Sequence, residues 1–408
     1  MKRKFFSLIA ALIFTGMAYA QPAGRLFVLN EGAFGGALGS FGYVDFQAGT
    51  YTHLDSVAQY GNQVLLQDGR LYVLDGNGSV LIFDAGDDFS PLDTLANIGA
   101  RHVQVYGDQL LVSGTREPFF RSYDIAAGYA FRYGLDSTQI GTAREEFVIV
   151  GNKAYVTGFF NDTLLAVVDL VAEDTLTFIP TSLNNYQIEV IGNSVFVASY
   201  AFTPSFDTDA TIHEIDPVAD TVIRTAFLPN AGDLTASATH LYLKSPQGEV
   251  FRYDPVSKAI DTTAFGQAFY GFTYHAATDV LFVSRTNFFS TGEVAFIAGD
   301  SLSAFLPTHI SPRSFYFESM STPVAAALPA MQAFRLFPNP ASGRFFIDSD
   351  RIDLREVRLI DMQGRQVGIW EMPAAQEASF SLEGIAPGVY VVQLIGKTGI
   401  ASRKLRVE

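Results

Sequence analysis

The chain of 408 residues carries 27 Lys and Arg against 42 Asp and Glu, and this net charge of −15 argues against binding to nucleic-acid phosphates. Cysteine is absent, which excludes disulfide scaffolds, cysteine zinc sites, thiol catalysis and a lipid anchor on an N-terminal cysteine. With 48% hydrophobic residues, 35 Gly, 36 Phe and 18 Tyr, the composition predicts an all-β protein of two or three domains.

Residues 1–20 have the pattern of a secretory signal peptide. A basic start, Met1–Lys4, precedes an apolar run over 5–14, and a small-x-small sequence predicts cleavage between Ala20 and Gln21. The run is too short to cross a bilayer, which takes about 20 apolar residues, and no later segment is long enough. We therefore expect an exported protein without a transmembrane anchor; a buried N-terminal helix is the alternative.

A short β segment ending in aliphatic-x-Asp or aromatic-Asp recurs at intervals of 38 to 47 residues, and its seventh copy lacks the Asp. Most copies follow a glycine turn and another strand. This period matches the four-stranded blade of a β-propeller. We expect each Asp to cap the turn into the outer strand by accepting a backbone N–H. The copies lie at 43–45, 82–84, 122–124, 167–169, 214–216, 252–254 and 295–297.

The two ends of the repeat region predict a closed ring. Residues 25–30 correspond to the second strand of a unit whose inner strand is missing, and an unpartnered inner strand follows the seventh copy. Pairing of Leu26–Asn30 with Ser314–Phe317 would complete one blade and remove the open sheet edges. We therefore predict a seven-bladed β-propeller over 24–318, in a domain of residues 21–320; a solenoid of stacked β units is the alternative.

The glycine-turn, Tyr-Val and Ile-Asp rhythm is similar to that of the YVTN/YncE-like propellers. The opening Phe27–Gly36 resembles the start of a secreted, surface-layer-type branch of these propellers from Bacteroidota. The resemblance implies a propeller fold and, for some members, capture of vitamin B12 at the cell surface for an outer-membrane transporter. Those members are lipoproteins, and this chain lacks the cysteine that would carry the lipid.

Residues 334–408 read as a small Ig-like β-sandwich behind a Pro-flanked linker of small residues at 321–333. Its motifs resemble, in order and spacing, the type A C-terminal sorting domain of the type 9 secretion system; an unrelated Ig-like module is the alternative. The resemblance implies the type 9 secretion machinery as a partner and a location outside the cell or on its outer surface, reached through the periplasm. The motif residues are Pro338, Asn339, Pro340, Gly343, Asp361, Gly364, Arg365, Gly388 and Tyr390.

Signatures of catalysis are scarce. The six histidines show no i,i+2 or i,i+4 pair, and neither a G-x-S-x-G nucleophile elbow nor a phosphate-binding loop occurs. Carboxylates near glycines at Asp75 and Asp207 miss the rest of a calcium loop, and turn chemistry explains them. We therefore assign no catalytic residue, no metal site and no cofactor from the sequence.

In a propeller, the loops that enter the inner strands and those that join second and third strands share one face around the axis. Here these loops carry several of the few basic residues of the acidic repeat domain, together with tyrosines, and both residue types suit recognition. The alternative is that the arginines pair with Glu31, Glu117 or Glu145. The candidate ligand-binding residues are Asn30, Glu31, Tyr60, Arg101, His102, Arg116, Arg144, Tyr186, Tyr200, Tyr270, Arg285 and Arg313.

The sequence favours a non-catalytic, monomeric binding propeller that captures a small molecule, a glycan or a protein partner. Because arginines gather in an acidic domain, we expect a ligand with anionic or polar groups. The alternatives are a structural adhesin and a lactonase-type propeller hydrolase, with Glu31, Glu145 and His102 as possible members of its site.

Overall fold

The computed structural model describes two compact units, one up to Ser319 and one in the rest of the chain. The predicted signal peptide, with its cleavage site at Ala20 and Gln21, and the predicted linker at 321–333 lie outside the described residues. These residues are 22–202, 208–228, 232–245, 247–261, 268–299, 301–319, 335–348, 354–361, 366–371, 377–396 and 399–408.

The first unit consists almost entirely of β-strands, and the helix described in it is one turn, α1 (Ser137–Ile140), capped by Asp136. In chain order the strands are β1 (Gly24–Asn30), β2 (Gly39–Asp45), β3 (Thr50–Val57), β4 (Gln63–Gln67), β5 (Arg70–Leu74), β6 (Val80–Asp84), β7 (Ser90–Leu95), β8 (Ala100–Tyr106), β9 (Gln109–Gly114), β10 (Phe120–Asp124), β11 (Ala130–Leu135), β12 (Arg144–Val150), β13 (Lys153–Gly158), β14 (Leu164–Asp169), β15 (Asp174–Pro180), β16 (Asn185–Ile191), β17 (Ser194–Phe202), β18 (Thr208–Asp216), β19 (Thr221–Leu228), β20 (Leu234–Ala236), β21 (Leu241–Lys244), β22 (Val250–Tyr253), β23 (Ile260–Asp261), β24 (Phe272–His275), β25 (Val280–Thr286), β26 (Gly292–Ala298), β27 (Ser301–Leu302), β28 (Leu306–Thr308) and β29 (Pro312–Ser319).

Within the described part of this unit the strands form seven antiparallel sheets, an arrangement typical of the blades of a β-propeller. Six sheets use strands consecutive in sequence, from β4–β7 to β24–β27, and β28 adds to the last by pairing with β26. The remaining sheet has the order β29-β1-β2-β3 and therefore draws on both ends of the unit.

The two ends of the unit meet in this composite blade. Leu26 is paired with Phe317 and Val28 with Phe315 in an antiparallel register, so β1 is hydrogen-bonded on both sides. The predicted pairing of the two ends is therefore confirmed, and the ring closes without leaving an open edge on β1.

The repeated Asp at the end of the third strand caps the following turn, as predicted. In one copy, Asp124 accepts the backbone N–H of Ala127, three residues further on, at 2.9 Å. In the other five copies Oδ1 accepts the backbone N–H two residues further on at 2.8–2.9 Å, and these residues are Asp45, Asp84, Asp169, Asp216 and Asp254. Turn geometry thus explains why Asp recurs at this position of the repeat.

Apolar side chains of neighbouring blades pack against each other and form the core. At the junction of the composite blade with the last one, Val28, Phe282 and Phe317 belong to one buried cluster. The rings of Phe282 and Phe317 lie 4.7 Å apart. Comparable clusters join the other blades, so the fold is held together by contacts between sheets as well as within them.

The second unit is a small β-sandwich, in agreement with the prediction. Its two sheets have the orders β30-β31-β34 and β33-β32-β35-β36. They enclose one buried cluster that includes Phe345, Val357, Phe380 and Leu405. The strands are β30 (Arg335–Phe337), β31 (Arg344–Asp348), β32 (Leu354–Asp361), β33 (Gln366–Glu371), β34 (Glu377–Ser381), β35 (Gly388–Gly396) and β36 (Gly399–Val407).

The motif residues of this unit hold its ends together. Asn339, between Pro338 and Pro340, donates to the carbonyl of Lys404 at 2.8 Å and accepts from Arg406 N–H at 2.9 Å. The first motif is therefore fastened to the last strand by side-chain hydrogen bonds.

The other motif residues lie at turns and strand ends. Gly343 has a φ of 77°, which suits glycine, and Gly388 opens β35. Tyr390 donates to the carbonyl of Ala386 at 2.6 Å and is paired across the sheet with Asp361. Gly364 and Arg365 lie outside the described residues.

Candidate functional site

A cavity of about 1160 Å³ lies on the axis of the propeller. Each of the seven sheets contributes its innermost strand to the wall, so the cavity exists because the ring is closed. One lining residue from each of these strands is Gln63, Gln104, Glu146, Gln187, Thr235, Thr273 and Ser314.

Most of the candidate residues chosen from the sequence meet at this cavity. They come from loops and strand ends far apart in the chain, and the ring brings them to one face. The lining includes Glu31, Arg101, His102, Tyr186, Tyr200, Tyr270, Arg285 and Arg313.

Three candidates lie outside the cavity wall. Asn30 is buried and donates to the carbonyl of Ser40 and the hydroxyl of Tyr51. Tyr60 is an exposed side chain, and Arg116 donates to the carbonyl of Asn97 at 2.7 Å. Asn30 and Arg116 therefore bond to neighbouring strands and loops of the propeller outside the cavity wall.

Arg144 also lies outside the cavity, in the interior of the fold. Its side chain is 1% exposed, and its Nη1 lies 3.2 Å from Asp162 Oδ2 and 3.0 Å from the carbonyl oxygen of Leu164. Burial lowers the pKa of Arg144 to about 10, and Asp162 opposes that shift. This arginine is therefore bonded inside the fold, and it is not available to a ligand in the cavity.

Arg101 is held by a carboxylate on the neighbouring blade. Its Nε donates to Glu145 Oε2 at 2.8 Å, and Nη2 donates to the other oxygen of the same carboxylate. The guanidinium also lies over the ring of Phe159 at 5.4 Å. This bidentate pair was among the internal pairings considered from the sequence.

A second charged group gathers around Asp233, at the entry to β20. Its Oδ2 lies 2.7 Å from Lys244 Nζ and 2.6 Å from Arg313 Nη1. Burial opposes ionisation of Asp233, yet Arg313 and Lys244 together hold its pKa well below the usual range. Next to this group, Tyr270 donates to Glu31, whose pKa is raised by burial.

The fourth cation of the wall is also paired. Arg285 Nε donates to Glu293 at 2.6 Å, and its guanidinium lies 3.9 Å over the ring of Phe305. Among the described residues, every Lys and Arg of the cavity wall therefore has a carboxylate partner.

Below these ion pairs, polar side chains of the innermost strands bond to the backbone of the next blade. Gln104 donates to the carbonyl of Phe147 at 2.9 Å, and Tyr274 N–H donates to Thr235 at 3.1 Å. In four further junctions a side-chain oxygen accepts a backbone N–H; the pairs are Ser314 with Val64, Gln63 with Val103, Glu146 with Ile188 and Gln187 with Leu234. These bonds fix the wall of the cavity.

Two carboxyl groups of this wall have pKa values well above those of ordinary glutamates. Burial raises the pKa of Glu146 to about 8, and the neighbouring Glu145 and Glu189 add to the shift. Burial likewise raises the pKa of Glu189 to about 7, against hydrogen bonds from Thr235 and Ala236. Burial lowers the pKa of His102 to about 4, so this imidazole is neutral at neutral pH.

These carboxyls predict a fall in the free energy of unfolding between about pH 5 and about pH 8. In the unfolded chain they lose their protons near pH 4.5, whereas folded Glu146 and Glu189 keep them to about 8 and 7. The folded state thus binds more protons across this window, and stability is lost as the pH rises through the folded values.

Thermal denaturation across this pH range tests the expectation. The Glu146→Gln, Glu189→Gln double variant should lose about 5 °C less in Tm than the wild type between about pH 5 and about pH 9. Glu173→Gln, at the outer edge of a blade, is the matched control and should follow the wild type. Parallel curves for all three proteins would show that these carboxyls titrate normally.

The sequence reasoning missed Glu146, Glu189, Asp233 and Lys244. Glu146 precedes the buried Phe147 and Glu189 follows the buried Ile188, and polar residues recur at both positions of the innermost strands, as Gln63 and Gln104 do. That recurrence was the available signal. Asp233 and Lys244 pair across two strands of one blade, and nothing in the local sequence marks them.

The comparison with known families concerns the second unit. Residues 335–408 match the family model described as the secretion system C-terminal sorting domain. This unit is a type 9 secretion sorting domain. A sorting domain directs the protein to the cell surface or the extracellular space and implies contact with the secretion machinery. Among the described residues, no helix is long and apolar enough to cross a membrane.

Solved structures resemble the propeller unit at low sequence identity. A quinonprotein alcohol dehydrogenase-like protein from Bacteroides thetaiotaomicron is 15% identical, with a TM-score of 0.54 over 72% of this chain and 78% of that one. A protein from Lactobacillus plantarum is 13% identical, with a TM-score of 0.54 over 72% and 99% of the two chains. These likenesses show the propeller fold alone. No curated protein matches the chain.

Proposed function

We propose that the protein is a secreted or surface-located binding propeller that captures a ligand in its axial cavity without transforming it. The observation that carries the proposal is the convergence of eight candidate residues and all seven innermost strands on one cavity of about 1160 Å³. Large, pre-formed clefts with a few placed polar groups are where proteins bind ligands. The sorting domain accounts for export, and we further infer that the propeller is seven-bladed and YVTN/YncE-like.

The contacts of the cavity carboxylates favour binding over hydrolysis. Glu145 is engaged by both nitrogens of the Arg101 fork, and Glu146 and Glu189 accept backbone N–H groups of the next blade. His102 packs edge-on against Phe147, with ring centroids 4.9 Å apart. Groups fixed in this way support the wall, whereas a general base must reach the substrate.

Thermal-shift measurements on the mature protein with a small-molecule library test this function. A ligand present at about 100 times its Kd should stabilise the protein by about 2.7 kcal/mol, a shift of several degrees in Tm. The shift should disappear in Tyr186→Ala, which removes a ring from the cavity wall. Phe227→Ala, an exposed ring on the outer strand β19, is the control and should keep the shift. Ligands that stabilise both variants equally would place binding elsewhere.

A further inference from the structure

We propose that the axial cavity takes a neutral, hydroxyl-rich ligand of the carbohydrate class, and this inference rests on the proposed binding function. It narrows the ligand with anionic or polar groups expected from the sequence to a neutral, polar one. The charges, the hydrogen-bonding groups and the aromatic rings of the wall each support it.

The charge pattern disfavours an anion. Arg101 is bound to Glu145, and Lys244 and Arg313 share Asp233. A carboxylate or phosphate would have to displace one of these partners at a part-buried site, where breaking an ion pair is costly. Because Glu146 keeps its proton at neutral pH and the pKa of Glu189 is about 7, the charged carboxylates of the wall roughly balance its four cations, and no cation is left unpaired for an added anion. The carboxyl groups of the wall are Glu31, Glu145, Glu146, Glu189 and Asp233.

The deeper wall offers groups that both donate and accept hydrogen bonds. Amides of Gln63, Gln104 and Gln187 and hydroxyls of Thr235 and Thr273 surround the axis. Each has a donor and an acceptor, as does every hydroxyl group of a sugar. The neutral imidazole of His102 and the protonated carboxyl of Glu146 have the same dual character at neutral pH. Several of these side chains spend one donor or acceptor on the next blade, and an apolar ligand would leave their remaining donors and acceptors without a partner, which costs free energy.

The cavity wall also carries aromatic rings. Phe159, Tyr186 and Phe288 line it, and Tyr186 is stacked near Tyr200 with centroids 6.3 Å apart. The residues following two of them in the chain, Phe160 and Phe289, are 57% and 72% exposed. A sugar ring presents C–H groups on its faces and hydroxyls at its edge, so it packs on an aromatic face while its edge meets the polar wall. Both kinds of surface occur together here.

The size of the cavity fits more than one sugar ring. At about 1160 Å³ it exceeds the range of about 300–1,000 Å³ for drug-sized ligands. Loops from several blades surround its mouth, so a chain end can enter while the remainder stays outside. We therefore expect an oligosaccharide, or the end of a longer glycan, to bind more tightly than a single sugar.

A glycan array with neutral and anionic oligosaccharides, probed with the mature protein, tests the inference. We expect neutral oligosaccharides to bind, and titration calorimetry of the strongest should give a Kd that changes less than about twofold between low and high salt, because no net charge is neutralised. The Tyr186→Ala, Phe288→Ala double variant should weaken binding by about tenfold or more, and Phe227→Ala should leave it unchanged.

The failures of this inference and of the proposed function are distinguishable. If anionic glycans or citrate bind more tightly and lose affinity with salt, the ligand class is wrong and the cavity remains a binding site. The same holds if no glycan binds while library compounds give shifts that depend on Tyr186. If neither the array nor the library gives binding that depends on this residue, both proposals are wrong.

Discussion

Removal of residues 335–408 is expected to keep the propeller inside the cell envelope and to abolish its appearance outside the cell. The sorting domain matches this segment alone, and every strand of the seven propeller sheets lies between Gly24 and Ser319. The truncated protein therefore keeps its own core and its ring closure while losing the signal read by the secretion machinery.

Fractionation of the native host measures this effect. The full-length protein should be found at the surface or in the medium, and the truncated one in the periplasm with a Tm close to that of the full-length propeller. A milder variant separates sorting from folding: Asn339→Ala removes the two hydrogen bonds to β36 and should reduce export while some protein still leaves the cell. Normal secretion of the truncated protein would place the export signal outside this domain.

The fold could be predicted from the sequence because its signal is local and repeated. Each blade repeats the same turn chemistry, in which an Asp such as Asp84 or Asp169 caps the turn after the third strand. Ring closure followed from one further comparison, between the incomplete first unit and the extra strand near Phe315. These inferences needed no side-chain directions, and the one long-range pairing followed from the repeat pattern itself.

The site was harder to predict because it depends on which way a side chain turns at the end of a strand. Arg101 and Arg144 occupy similar positions at the start of the inner strands β8 and β12, and both were assigned to the ligand-binding face. Arg101 lines the cavity, whereas Arg144 turns towards the carbonyls of Ile140 and Leu164 and pairs with Asp162. The local sequence does not distinguish these two outcomes.

The structure also changes the interpretation of the arginines, because it shows the carboxylates with which they pair. From the sequence, arginines on an acidic domain point to a ligand with anionic or polar groups. In the structure, Arg101 and Arg313 face carboxylates at hydrogen-bond distance, so their charge is already balanced within the wall. The same residues then act as rigid, oriented parts of a polar surface, which is a different basis for recognition.

Replacement of Phe317 by Ala is expected to cause the largest loss of stability of any single truncation discussed for the propeller. Phe317 lies in the closing strand β29, is 3% exposed and is paired with Leu26 of β1. Its ring lies 4.7 Å from that of Phe282 and 5.0 Å from that of His275, both in the last blade. The side chain thus joins the first strand, the closing strand and the last blade at the place where the ring is sealed.

Loss of this ring should lower the free energy of unfolding by about 3–5 kcal/mol, through lost apolar contact and the cavity left behind. Closure makes the loss cooperative, because a loosened β29 uncovers β1 and opens the junction with the last blade. Phe131→Ala, which removes an exposed ring from the outer strand β11, is the matched control and should change stability by less than about 0.5 kcal/mol. Urea denaturation followed by circular dichroism measures the free energy of unfolding of both variants. Equal losses for the two would mean that the contacts of the closing strand β29 contribute no more to stability than those of an outer strand.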